Sequence, residues 1–496
     1  MELWGETLSF GVGFFLLLAL ALALSFEFVN GFHDTANAVA TVIYTNTLKP
    51  VYAVVWSGCW NLTGVLVSTG GVAYSIVALL PVELVLNAGS GAGFAMIFSL
   101  LVSAIIWNVG TWYLGLPASS THTLVGAIMG VGVANSLMAG HGWLAGINLG
   151  KVQEVGMALL LSPLVGFIGA GALLLILKFL VRRKDLYQAP EGKNPPPFWI
   201  RCVLVLTCTL VSFFHGSNDG QKGMGLIMLI LVGILPGAFA LNMATAPEAS
   251  QKAIVQFQQL ATTLQPLAAG ATLTRDEAVT ELERFTAPVG RKVSAATYAA
   301  IIVECQFVSD NMTKKADIKS IPRGQRTELR TDIYLMDEAI GKLLKKNLVT
   351  DPKAVEELGA AKKSMDGITK YIPVWVKVAV ALALGFGTMI GWKRIVVTVG
   401  EKIGKSHLTY AQGASAELMA AATIGLADGL GLPVSTTHVL ASGIAGTMAA
   451  NGSGLQKDTL INILLAWVLT LPVCVFLGAT LFSASLYVVF HVFGIQ

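Results

Sequence analysis

Two short polar motifs each occur twice in this chain, and both interrupt sequence that is otherwise apolar. Gly115-Leu116-Pro117-Ala118-Ser119-Ser120-Thr121-His122 returns as Gly431-Leu432-Pro433-Val434-Ser435-Thr436-Thr437-His438. Upstream of each, Asn30-Gly31-Phe32-His33-Asp34 is answered by His215-Gly216-Ser217-Asn218-Asp219. The two pairs are offset by different amounts, so the halves share an order of motifs and differ by one insertion. Polar breaks at matching places in two hydrophobic halves constrain the chain to a duplicated membrane fold. Such breaks survive in hydrocarbon only where they are buried or line a cavity, and they mark binding sites.

The rest of the sequence agrees. The chain is 54% hydrophobic and 12% charged, and its mean hydropathy is +0.69. Segment 241–370 alone holds 18 basic and 16 acidic residues, which leaves the remainder too poor in charge for a water-facing surface. No basic stripe interleaved with aromatics is present, which excludes a nucleic-acid partner. Five scattered cysteines without metal-ligand spacing argue against a disulfide framework or zinc site. The stretch 8–29 lacks a basic leader and reads as a first span, not a removed signal.

Apolar runs of about 20 residues, enough for ~30 Å of hydrocarbon, predict spans near 8–29, 51–72, 93–114, 152–180, 199–217, 219–238, 372–392, 408–430 and 459–490. Segments 35–48, 117–134 and 433–450 are shorter. The last two start at Pro117 and Pro433, which suits the first position of a half-helix or re-entrant hairpin. The expected fold is an all-α polytopic membrane protein of two inverted-topology repeats with broken or re-entrant helices. A helical soluble insertion sits in the second repeat, with helix-period apolar positions such as Leu335, Ile340, Leu343 and Leu344. The expected divisions are 1–181 for repeat 1, 182–198 for a linker, 199–240 and 371–496 for the parts of repeat 2, and 241–370 for the insertion. A solvated domain is the favoured role for the insertion, a regulatory or membrane-recruiting one the alternative.

Basic residues from Arg182 through Lys193, with Arg201, place the linker and insertion in the cytoplasm, and charge-poor termini fit the outside. Five crossings plus one re-entrant hairpin in the first half meet that requirement. Lys393, Arg394, Lys402 and Lys405 disagree, since they would land outside or on an interfacial helix.

Carboxylates inside a bilayer cost a few kcal/mol at least. A lone Asp could cap a broken helix, but the pair Asp34 and Asp219, at equivalent places beside Asn37, Asn218 and His residues, points to cation or proton coordination. Ser119, Ser120, Thr121, Ser435, Thr436 and Thr437 supply hydroxyls where helix N-termini offer free N–H groups and a positive dipole end, together a compact anion site. His122 and His438 either fix the backbone or touch the anion. His33 and His215 occupy swapped positions relative to Asn and could relay protons. Lys222 stands where the first copy has Asn37. It either neutralises Asp219, three residues away, or snorkels to the interface.

With these motifs the chain resembles the inorganic phosphate transporter (Pit) family, most of all its bacterial low-affinity PitA-like branch. That family's Gly-x-Asn-Asp-x-x-Asn signature is matched at Asp34, Asn37, Asn218 and Asp219, with His33 and Lys222 as departures, and its Gly-Leu-Pro-x-Ser-x-Thr-His element is matched in both copies. The resemblance implies phosphate import across a bacterial cytoplasmic (inner) membrane, without a cofactor, a divalent cation such as magnesium travelling with phosphate being left open. It also implies contact with membrane lipid, with a homodimer left open. Sodium coordination by the Asp and Asn residues, found in sodium-coupled members, is displaced here by Lys222 and His33 in favour of protons. An intramembrane hydrolase is the rival class, but it requires one asymmetric site and no Gly-x-Ser-x-Gly elbow is present. Sulfate or arsenate stays open as an alternative tetrahedral anion.

Overall fold

The computed structural model describes residues 1–80, 89–190, 192, 194–287, 292–315 and 318–491. Lys193, counted with the linker above, lies outside them. The chain divides into two compact units. One is formed by 1–16, 81–93 and 228–372, the other by 17–80, 94–227 and 373–496.

The first unit carries the charged insertion as five helices, Pro247–Ala268, Arg275–Thr286, Ala295–Lys315, Arg323–Lys345 and Pro352–Thr369. Local chemistry sets their starts. Thr274 accepts from the Glu277 N–H while Glu277 reaches back to the Thr274 N–H, and Asp351 caps the last helix. Phe257, Leu282, Ile301, Leu335, Ile340, Leu343 and Leu358 close around one apolar core, with Leu344 at its edge. Buried Asp337 is held by Lys370 at 2.7 Å and by Lys362.

Glu304 is the exception in this unit. Its side chain is buried, and neither carboxylate oxygen has a hydrogen-bond partner among the described residues. Burial, and then the neighbouring Asp332 carboxylate, push its pKa up to about 8 from an ordinary 4.5. Between those values the unfolded chain releases the proton that the folded chain keeps, so stability falls as pH rises and the penalty is complete above about 8. Asp332, raised to about 6 mainly by burial, acts with the same sign. Glu304→Gln is therefore expected to slow amide exchange across 295–315 of the intact protein at pH 8 by at least about tenfold, and to change little at pH 4.5. Equal protection in the two proteins at pH 8 would contradict this.

Outside the insertion two expectations need correction. The spans expected at 199–217 and 219–238 are one continuous 37-residue helix, Phe198–Ile234. Gly216 does not break it; a Cβ there would lie 2.1 Å from the Asn61 carbonyl oxygen, so the glycine serves close helix packing. Neither hydroxyl-rich segment starts at its proline. The helices are Ser120–Met138 and Thr436–Asn451, capped by Ser119 and Ser435, whose hydroxyls accept the N–H of His122 and His438 at 3.1 and 3.2 Å. Pro117 and Pro433 lie in the extended lead-in. Seven helices among the described residues are long and apolar enough to cross a membrane.

Packing outside the insertion is an exchange between halves. The Ser120–Met138 helix runs along Lys457–His491, and Thr436–Asn451 runs along Leu149–Leu180. Pro50–Val67 meets Phe198–Ile234 at Gly216, and Val374–Met389 meets Phe10–Asp34 where a Cβ on Gly387 would approach the Phe28 carbonyl oxygen to 2.2 Å. The exchange extends to the turns before the hydroxyl motifs. Gly115 and Gly431 adopt φ of 69° and 67°, and each ends its helix with the same pair of bonds, Gly115 N to Trp112 O and Leu116 N to Thr111 O in one copy, Gly431 N to Asp428 O and Leu432 N to Ala427 O in the other. Thr398 donates to the Gly115 carbonyl at 2.8 Å, and Ser75 donates to the Gly431 carbonyl at 2.7 Å. The repeated sequence thus folds twice in the same way, and each copy is held by the other half.

Candidate functional site

Helical periodicity assembles the site. Asn30, His33, Asp34 and Asn37 are spaced i, i+3, i+4 and i+7, and so are His215, Asn218, Asp219 and Lys222. In the continuous Phe198–Ile234 helix that spacing puts the second set on one face. In the first copy the chain is interrupted at Thr35, between Phe10–Asp34 and Ala36–Tyr44. The Thr35 hydroxyl there donates to the carbonyls of Gly31 (2.7 Å) and Thr388 (2.9 Å).

Both sets converge in the interior. Asp34, Asp219, Lys222, His33, His215 and Ser120 are all buried. His215 Nε2 lies 3.7 Å from Asp34 Oδ2 and 3.4 Å from Asp219 Oδ2, and its Nδ1 is 2.9 Å from Asn61 Oδ1. Lys222 Nζ is 2.7 Å from Asp219 Oδ2 and 3.3 Å from Ser120 Oγ. The lysine therefore neutralises Asp219 inside the protein and does not snorkel. His33 pairs with Asp34 at 3.3 Å and with Thr111 at 3.1 Å.

The hydroxyl-rich helix starts meet this cluster. Ser120 Oγ donates toward Asp34 Oδ2 at 3.3 Å and lies 3.5 Å from Asp219 Oδ2. Thr437 donates to Asp34 Oδ1. Asn37 Nδ2 donates to Thr436 Oγ1 (3.3 Å) and Thr437 Oγ1 (3.1 Å), so a residue of the first half positions the second motif. Thr121 donates to the Val434 carbonyl at 2.9 Å, which ties the two motifs directly. The His122 and His438 rings lie 4.6 Å apart, and His438 stacks on Trp467 at 4.0 Å. Asn218 Nδ2 donates to the Leu432 carbonyl at 3.1 Å.

The expected residues therefore come together, but with a division of labour. The Ser119 and Ser435 hydroxyls are spent on caps, which leaves the N–H groups of Ser120, Thr121, Thr436 and Thr437 outside the helices' own bonding. Several buried polar atoms have no hydrogen-bond partner among the described residues: Asp219 Oδ1, Asn218 Oδ1, His122 Nδ1 and His438 Nε2. Buried polar atoms are normally satisfied, so this group marks a place suited to a ligand. Asp34, His215 and Asp219 present one ligand atom each within 4.8 Å of one another, and this triad could hold a metal ion.

Two carboxylates escaped the sequence reading. Glu27, fully buried, accepts from the Gly223 N–H at 2.7 Å and from Asn30. Glu417, also fully buried, accepts from the Thr207 hydroxyl, and its other oxygen has no hydrogen-bond partner among the described residues. The signal was available, since each stands alone in an apolar run as Asp34 and Asp219 do.

A family model described as the phosphate transporter family matches residues 30–478. The low-affinity inorganic phosphate transporters PitB and PitA of Escherichia coli (strain K12) are 43% and 44% identical to the chain, over 96% of its length in both cases and over 98% and 97% of theirs. A probable low-affinity inorganic phosphate transporter of Bacillus subtilis (strain 168) is 30% identical, over 93% of this chain and 95% of that relative. A solved structure described as the sodium-dependent phosphate transporter matches 95% of this chain and 98% of its own, with a TM-score of 0.51 and 19% identity, a likeness of fold.

Proposed function

The chain belongs to the phosphate transporter family, and on that premise we propose that it imports inorganic phosphate by proton symport through alternating access. It is a multi-pass membrane transporter and not an enzyme, so the hydrolase reading falls. The observation that carries the proposal is the meeting of both Asp-bearing stripes with both hydroxyl-rich helix starts in one buried cluster.

Electrostatics supply the coupling. A phosphate brought beside Asp34 and Asp219 meets two carboxylates; like charges about 4 Å apart repel by about 4 kcal/mol at an effective dielectric near 20. Lys222 offsets Asp219. His215, between both carboxylates, is the group placed to take a proton and offset Asp34. Proton loading and phosphate binding then favour one another, which is what a symporter requires. The anion is held by the Ser120 and Thr437 hydroxyls, the first-turn N–H groups and the positive ends of two helices. His122 and His438 add ring nitrogens.

Lys222 is a fixed cation where a coupling sodium would otherwise sit, and this supports protons over sodium. The Asp34–His215–Asp219 triad supports a second reading in which a divalent ion travels as co-substrate with phosphate. Imidazole in the triad suits a transition metal better than magnesium, which prefers oxygen ligands.

The exchange of packing partners supports two repeats related by a two-fold axis, since such a relation makes every pairing reciprocal, and the charge pattern favours the inverted form. The Thr398–Gly115 and Ser75–Gly431 bonds then form an equivalent pair, and alternating access releases one hairpin while the other stays held. Charge on the linker supports a cytoplasmic linker and insertion with the termini outside, the basic residues Lys393, Arg394, Lys402 and Lys405 being the exception. In proteoliposomes, an inward proton gradient without sodium should drive accumulation of radiolabelled phosphate. Accumulation that requires sodium would overturn the coupling.

A further inference from the structure

Three of the four basic residues that disagree with the charge-based orientation lie together. Lys393, Arg394 and Lys402 line a cleft of about 580 Å³ together with Trp112, Tyr113 and Trp392. The cleft reaches Gly115 and Thr398, the carbonyl and hydroxyl that join the first hairpin to the Lys393–Glu401 helix. Gly115 is five residues from Ser120, so the cleft borders the turn that carries the first hydroxyl motif.

Its charge is built in and unneutralised. Arg394 donates to the Tyr113 carbonyl at 2.7 Å, and its guanidinium lies over the rings of Trp112 (5.2 Å) and Tyr113 (4.7 Å). That fixes one cation in the wall. Lys393 and Lys402 are exposed and make no ion pair among the described residues. Glu401, the acidic residue of this stretch, lies near the Tyr44 hydroxyl. Three cations converging in a concave, aromatic-walled cleft raise the local concentration of anions and speed their arrival.

We propose that this cleft captures a phosphate-bearing anion beside the Gly115 turn that carries the first hydroxyl motif. The inference rests on the reading of the buried site as a phosphate site. A free phosphate ion and the headgroup of an anionic lipid share the chemistry recognised, because basic and aromatic side chains together also suit a lipid phosphate at the membrane surface.

The test uses the intact protein and a Lys393→Gln/Lys402→Gln variant. Arg394 is left alone because it holds the Tyr113 carbonyl. A Lys346→Gln/Lys363→Gln variant, altered in the insertion, controls for net charge and should transport as the wild type does. Uptake is measured in phosphatidylcholine vesicles, with and without phosphatidylglycerol, over a range of salt. Capture of free phosphate raises KM about three- to tenfold in neutral vesicles, leaves the maximal rate unchanged and flattens the salt dependence. Capture of a lipid leaves KM unchanged in neutral vesicles and removes the phosphatidylglycerol response shown by the wild type. A variant identical to wild type in KM, salt response and lipid response overturns the proposal. Wild-type protein that transports no phosphate in either vesicle would instead overturn the function proposed for the buried site.

Discussion

Asp34→Asn is expected to lower coupled phosphate uptake about 100-fold or more at equal amounts of folded protein in the membrane. Asn keeps the shape of the side chain and one acceptor oxygen, so the Thr437 bond to Oδ1 can persist. It removes the carboxylate charge that faces His215, 3.7 Å away, the group proposed to carry the proton. A 100-fold loss corresponds to about 2.8 kcal/mol of lost coupling between proton and phosphate, since each 1.4 kcal/mol is a factor of ten. The loss falls on uptake and not on assembly, because Lys222 keeps its partner Asp219 and no buried ammonium is stranded. Uptake by purified Asp34→Asn protein in proteoliposomes, normalised to folded protein by size-exclusion profile, checks this. Wild-type rates from that variant would remove Asp34 from the coupling site.

Lys222→Gln should act differently, by destabilising the protein itself. It leaves Asp219 buried with its nearest cation gone, and a single-partner deletion of a buried ion pair costs about 3–5 kcal/mol. Asp219→Asn strands the ammonium in the same way. The double variant Asp219→Asn/Lys222→Gln buries two neutral amides, so much of the stability lost by either single change should return while uptake stays absent. Thermal unfolding in detergent of the four proteins gives this coupling directly. Additive losses in the double variant would show that the 2.7 Å pair contributes nothing as a pair.

Duplication of the Gly-Leu-Pro motif was legible in the sequence because each copy repeats the same local physics, down to φ near 70° at Gly115 and Gly431 and a serine cap at Ser119 and Ser435. Helical character of the insertion was legible from the spacing of Leu335, Ile340 and Leu343, which the structure buries. Partner choice was not legible. Nothing local states that His215 reaches Asp34 as well as Asp219, or that Asn37 positions Thr436 and Thr437, since both follow from helices exchanged between the halves. Proline and glycine also misled as punctuation. Pro117 and Pro433 precede the helices because the serine hydroxyl sets the start. Gly216 stays within a helix because its missing Cβ admits the Asn61 carbonyl. Glu27 and Glu417 were passed over because neither is duplicated, although burial makes each a group the protein must accommodate.

The central claim is that phosphate sits between the two hydroxyl-rich helix starts, against the Asp34–Asp219 cluster. The most direct measurement is a high-resolution structure of the protein in nanodiscs, determined with and without saturating phosphate. The account predicts a tetrahedral density present only with phosphate, contacting Ser120, Thr437 and the first-turn N–H groups of both helices, with Lys222 still on Asp219. Density bound elsewhere, with Ser120 and Thr437 still donating to Asp34, would contradict it.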